Sequence, residues 1–165
     1  MRLLGLDPGL GTTGWGVIEA EGGRLRHIGD GAVRTSAREP LALRLVQLAE
    51  GLEAVIARYG VAEAAIEETF VNRNAVSTLR LGQARGTALL VSARAGLSVS
   101  EYLPNLVKKA VVGRGHADKE QVKMMVGVLL PGAGLLSEDA ADALAVAICH
   151  AHHRETARRV AEASR

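Results

Sequence analysis

Apolar residues along the chain fall into runs of two kinds. Met1 to Leu6, apolar apart from Arg2, reads as a short buried strand ending at Asp7. Gly14 to Glu19 reads as a second strand, and Glu21-Gly22-Gly23 as a turn into a third from Leu25 to Thr35. After Pro40 the period changes to three and four, through Leu41, Leu45, Leu48, Leu52, Val55, Ile56 and Tyr59, which predicts a helix stopping at Gly60. Ala62 to Ile66 is a fourth strand that delivers Glu67 at its end, and Leu97 to Tyr102 a fifth. Between them a polar loop, Glu68 to Asn74, leads into a helix to about Ala95. Pro104 to Val112 and Lys119 to Leu130 read as helices around a Gly113-Arg114-Gly115-His116 break. Ser137 caps a last helix from Glu138 to about Val160. The order βββαβαβα predicts an α/β fold with a mixed five-stranded sheet flanked by helices.

Nothing along the chain marks a second domain. With 165 residues and no repeat or linker, a single domain over 1–165 is expected, with 154–165 a short C-terminal tail open to disorder. One cysteine, Cys149, excludes an internal disulfide and a cysteine zinc cage, and fits a reducing cytoplasm. No run approaches the ~20 apolar residues of a membrane span, so no membrane association is expected.

Charge is unevenly placed. The net charge is only +2, yet Arg73 to Lys123 carries nine basic residues against three acids, and all four lysines lie between 108 and 123. This half suits a polyanion. Asp7-Pro8-Gly9-Leu10-Gly11-Thr12-Thr13-Gly14 contains a literal GxGxxG, with Asp30 following. A dinucleotide site is rejected, because Trp15-Gly16-Val17-Ile18 continues as strand where a pyrophosphate site needs a helix N-terminus.

The chemistry-bearing residues are acids. Asp7 and Glu67 end strands that would share a sheet edge if neighbouring, and Asp139 and Asp142 are three apart at the start of the last helix, on one face, amid alanines. Four convergent carboxylates repel one another and require hard divalent cations, for which Mg²⁺ is the natural choice. Glu68 and Glu138, beside these residues, are expected to point away. His150, His152 and His153 lack a well-placed fourth ligand and are expected to be structural or solvated, and Trp15 to be core.

Five motifs in register resemble the RuvC family of bacterial Holliday-junction resolvases: Asp7 to Gly16, Ala65-Ile66-Glu67, Leu81 to Gly86, Val111-Val112-Gly113 and Asp139 to Ala145. The resemblance covers the chain to about His153. It implies a ribonuclease-H-like fold and a homodimer acting with the RuvA–RuvB branch-migration complex. It further implies Mg²⁺- or Mn²⁺-dependent nicking of two like-polarity strands of a four-way DNA junction, in recombination and repair, leaving 5′-phosphate and 3′-hydroxyl ends. The family's catalytic acids fall on Asp7, Glu67, Asp139 and Asp142, and its basic residues near the scissile phosphate on Lys108 and Lys119. Some relatives carry histidine at the position of Asp139. Asp7 would then bridge two metals ~3.5–4 Å apart, and Lys119 would offset charge on the phosphate. Phe70, the only phenylalanine, is a candidate to stack on bases at the crossover, and Arg73, Arg85, Lys108, Lys109 and Arg114 are candidate backbone contacts. Two other readings remain at this level: a nuclease of the same fold acting on RNA or RNA–DNA hybrids, and a non-catalytic junction-binding module.

Overall fold

The computed structural model describes residues 1–68 and 73–164. Five strands form one sheet in the order β3-β2-β1-β4-β5, with β1 Arg2–Asp7, β2 Thr12–Glu21, β3 Arg24–Arg34, β4 Glu63–Glu67 and β5 Ser98–Tyr102. β1, β2 and β3 are antiparallel neighbours, whereas β4 runs parallel to both β1 and β5. Five helices complete the chain: α1 Leu41–Tyr59, α2 Ala75–Arg94, α3 Pro104–Val112, α4 Lys119–Leu129 and α5 Glu138–Ala163. The mixed α/β architecture expected from the sequence is therefore present, with every predicted element in its place.

Element ends differ by one to three residues in places. β2 starts at Thr12 rather than Gly14, because it pairs with β3 from Thr12–Arg34 to Glu21–Arg24, with a bulge between Val17 and Ile18. That hairpin turns on Gly22 and Gly23, both at positive φ (53° and 84°), as a tight two-residue turn requires. At the other end, residues 154–163 continue α5 instead of forming a tail. Glu155 and Glu162 bond Arg158 one turn away, Glu155 also bonds Arg159, and Arg154 reaches Glu63 of β4, so the last turns have partners along and across the helix.

The sheet is covered on both sides, and strand alternation sorts residues between the two cores. Leu4, Leu6, Val17, Ala64 and Ile66 pack against α1 and α2 with Leu48, Leu52, Ala84, Ala88 and Val91. Leu3, Ile18 and Ala65 face α3, α4 and α5, whose contributions include Val107, Val122, Val126, Leu144 and Ile148. Because side chains alternate along a strand, Asp7 follows Leu3 and Gly5, and Glu67 follows Ala65, onto the α5 side. The fold thus decides which face receives the strand-end acids. Among the described residues no helix is long and apolar enough to cross a membrane.

Candidate active site

Asp7 and Glu67 are the last residues of β1 and β4, and the parallel register Leu6–Ile66 sets them side by side at one sheet edge. The two carboxyl groups are close enough to perturb each other's protonation. The third member comes from above. The Ser137 hydroxyl accepts from Ala140 N at 3.2 Å and starts α5, so Asp139 and Asp142 lie in its first two turns.

What lets α5 reach the sheet is a set of glycines. A Cβ on Gly14, the cross-strand partner of Asp7, would lie 2.1 Å from the Asp139 carbonyl oxygen. On Gly5 it would lie 2.1 Å from the carbonyl oxygen of Ala143 and 2.6 Å from the amide of Ala147, and on Gly16 it would run into Leu144. The helix backbone therefore lies directly on β1 and β2, with alanines on its own side, and its first carboxylates are lowered toward Asp7. In the sequence Gly14 read only as part of the rejected GxGxxG match; the cross-strand placing of Gly5, Gly14 and Gly16 is the signal that could have revealed this close approach. Beyond Asp7, the buried Thr13 hydroxyl donates to Gly9 O at 2.8 Å and accepts from Gly9 N at 3.2 Å, which closes the loop after the acid.

The acids strain against one another. Burial, then the neighbouring Asp142 and Asp139, pushes the Asp7 carboxyl up to about 7. Burial, then Asp7 and Asp142, pushes Glu67 up to about 8. Asp142 is raised by burial although Lys119 opposes it. The Lys119 ammonium, 3.6 Å from Asp142 Oδ2 and 3.7 Å from Glu138 Oε2, relieves part of this repulsion. Glu138, expected to point away, thus shares the same lysine. Lys119 is the first residue of α4, set there by a capping box between Asp118 and Gln121. Asp7, Glu67 and Asp142 line one cavity of about 300 Å³, with Lys108 and Lys119 at its wall and Val107 and Val122 among its apolar lining. Asp139 is outside that lining but close enough to act electrostatically on both Asp7 and Asp142.

The donor set suits a hard divalent cation. It is all carboxylate oxygen and partly buried, and three of its carboxyl groups, Asp7, Glu67 and Asp142, are pushed up by that burial and by neighbouring acids. Among the described residues no three acidic, histidine or cysteine side chains yet close into a metal-holding cluster. Lys119 pairs with Asp142 and Glu138 there.

The other residues singled out in the sequence divide. Lys108 lines the cavity. Lys109, one residue on, turns to a groove between α3 and α5 beside His152 and His153. Arg73 and Arg114 are exposed in turns. Arg85 does not face the acids. It lies on α2, across the sheet from α5, and its Nε donates to Glu101 of β5 at 2.6 Å. Glu101 faces that side because it alternates with Tyr102. Phe70 lies outside the described residues. Trp15 is half-buried against Tyr59, with ring centroids 5.4 Å apart. β2 begins inside the GxGxxG segment, at Thr12, so a strand stands where a pyrophosphate site needs a helix N-terminus.

Residues 3–150 match the family profile of crossover junction endodeoxyribonuclease RuvC. The chain belongs to the RuvC family. A RuvC from Paramagnetospirillum magneticum is 62% identical over 163 residues, covering 99% of this chain and 98% of the relative. That from Rhodospirillum rubrum is 64% identical over 154 residues, covering 93% and 91%. In three dimensions, Thermus thermophilus RuvC in complex with a Holliday junction substrate superposes with a TM-score of 0.88 at 33% identity, over 95% of this chain and 96% of that one. A RuvC chain is thus matched along nearly its whole length, the sheet edge and the start of α5 included.

Proposed function

We propose that this protein is a crossover junction endodeoxyribonuclease that resolves Holliday junctions by metal-dependent hydrolysis of phosphodiester bonds. The observation that carries the reading is that the half-buried Asp7 and Glu67 carboxyl groups face Asp142 in a cavity that also presents Lys108 and Lys119. Asp7, Glu67, Asp139 and Asp142 would hold two Mg²⁺ ions, and Mn²⁺ would substitute. When bound, the ions lower the pKa of an attacking water and stabilise the leaving 3′-oxygen. The protein's own groups do the rest. Lys119 and Lys108 present ammonium groups at the cavity wall, where they offset charge that builds on the phosphate. Val107 and Val122 keep part of that wall dry, which strengthens both interactions. In-line attack with departure of the 3′-oxygen leaves 5′-phosphate and 3′-hydroxyl ends.

A four-way junction has two-fold symmetry, and two like-polarity nicks need two sites, so the working unit is a homodimer. The exposed apolar face of α2, with Val76, Leu79 and Leu90 beside Gly82 and Gly86, where added Cβ atoms would meet nothing, supports that reading. Arg73, Arg114 and Lys109 are proposed backbone contacts, and Phe70 a base contact. The same reading gives action in the bacterial cytoplasm alongside the RuvA–RuvB complex.

The test is a synthetic mobile four-way junction, a matched duplex and an RNA–DNA hybrid, each incubated with Mg²⁺, Mn²⁺ or a chelator. Paired symmetric nicks confined to the junction and abolished by the chelator are expected. Cleavage of the hybrid with the junction intact would move the protein to RNA substrates, and binding without nicking would leave a junction-binding module.

A further inference from the structure

Beneath the acidic edge, buried polar groups form a chain. His150, on α5 and only 5% exposed, has Nδ1 2.8 Å from the Tyr102 hydroxyl and Nε2 2.9 Å from Glu63 Oε2. The other oxygen of Glu63 accepts from Arg154 Nε at 2.9 Å. One neutral tautomer satisfies all of these groups: Nε2–H donates to Glu63, and Nδ1 accepts from Tyr102. Burial, opposed by Glu63, keeps the imidazole below its usual pKa, which favours that neutral form. Glu63 stays below the ordinary carboxylate range despite its burial, because Arg154 and His150 donate to it.

The members of this chain sit on the elements that carry the proposed metal ligands. Tyr102 is the cross-strand partner of Glu67, and its carbonyl accepts from Glu68 N at 2.9 Å. Glu63 opens the strand that Glu67 closes. His150 lies eight residues beyond Asp142 on the same helix, about 12 Å along its axis. Elsewhere α5 meets the sheet through alanines, Leu144 and Ile148, whose contacts are not directional, and through the His153 ring stacked on Tyr102 with centroids 5.3 Å apart. Among the described residues, the side-chain hydrogen bonds from α5 to the sheet are those made by His150 and Arg154.

We propose that the Tyr102–His150–Glu63 chain positions α5 on β4 and β5, and so sets where Asp139 and Asp142 stand relative to Asp7 and Glu67. His150 is a positioning residue that never touches substrate. The inference rests on the metal-site reading above. A helix is stiff along its axis, so a turn or slide at His150 moves the carboxylates two turns away. Displacements of about 1 Å at a reacting centre are enough to cost large factors in rate.

The experiment measures Mn²⁺ binding by calorimetry, junction affinity in chelator and nicking rate for His150→Phe, Tyr102→Phe and His150→Gln. His150→Phe keeps a ring and removes both bonds; Tyr102→Phe removes one oxygen. His150→Gln keeps an amide nitrogen near Nε2 to donate to Glu63. For both Phe variants the expected result is Mn²⁺ binding weakened by roughly tenfold, the lower end of the effect of supporting residues at metal sites, with kcat reduced to match. Junction affinity is expected to be unchanged, and His150→Gln to recover most of the loss. Wild-type Mn²⁺ binding in both Phe variants would overturn the inference. So would a loss that follows thermal stability alone, with Gln no better than Phe. Asp7→Asn runs beside them: if it binds Mn²⁺ and nicks as wild type, the metal-site reading itself has failed.

Discussion

The two faces of the sheet are packed in opposite ways. Against α1 and α2 the strands present Leu4, Leu6, Val17 and Ile66, large side chains that interdigitate with leucines and keep the helices at ordinary distance. Against α5 they present Gly5, Gly14 and Gly16, and the helix answers with alanines, so that backbone meets backbone. The α5 side also buries Leu3, Ile18, Leu144 and Ile148, but only there does a helix come close enough to bring its acids onto the acids of two strands. Packing on the α1–α2 side therefore serves stability alone, whereas on the α5 side it also sets the carboxylates.

Substitutions that exchange the two kinds of packing should separate these roles. Gly14→Ala places a methyl group where the Asp139 carbonyl lies, so α5 must lift. Nicking is expected to fall by about a hundredfold with junction affinity retained. Leu4→Ala on the opposite face should lower unfolding free energy by about 2–5 kcal/mol, measured in urea, while the folded fraction nicks at the wild-type rate. Equal loss of activity in both would dissolve the distinction.

A smaller effect is expected from pH. Asp7 and Glu67 bind their protons more tightly folded than unfolded. Their contribution to stability is full below the ordinary carboxylate range near pH 4 and is lost as the pH rises through about 7 and 8. Without divalent ions the melting temperature should therefore drop by a few degrees between pH 5 and 8.5, and Asp7→Asn should reduce that slope. The smallest effect belongs to Arg85. Paired with Glu101 on the α2 side, it should tolerate Arg85→Ala with nicking changed by less than about threefold. A tenfold loss would return it to the DNA surface.

The sequence carried the elements well because their signals are local: the change from runs to a three-four period at Leu41, the Ser137 cap, Pro104 at a helix start. It also carried the four acids, since strand ends and an Asp139–Asp142 spacing can be read without knowing the fold. What it did not carry depends on pairs distant in the chain. Glu63 and His150 are 87 residues apart, and no local pattern joins them. Arg85 looked like one more cation in a basic stretch until strand alternation put Glu101 opposite it. The α5 turns after Arg154 lack an apolar period, and their support comes from charge pairs rather than from burial.

The most direct measurement is Asp7→Asn assayed for junction affinity and for nicking in the same Mg²⁺ buffer. Junction binding within about twofold of wild type, with nicking reduced at least about a thousandfold, is the result expected if the α5 side of the sheet is the catalytic metal site. Nicking that persists within tenfold would contradict it, and the chemistry would have to lie elsewhere on the molecule.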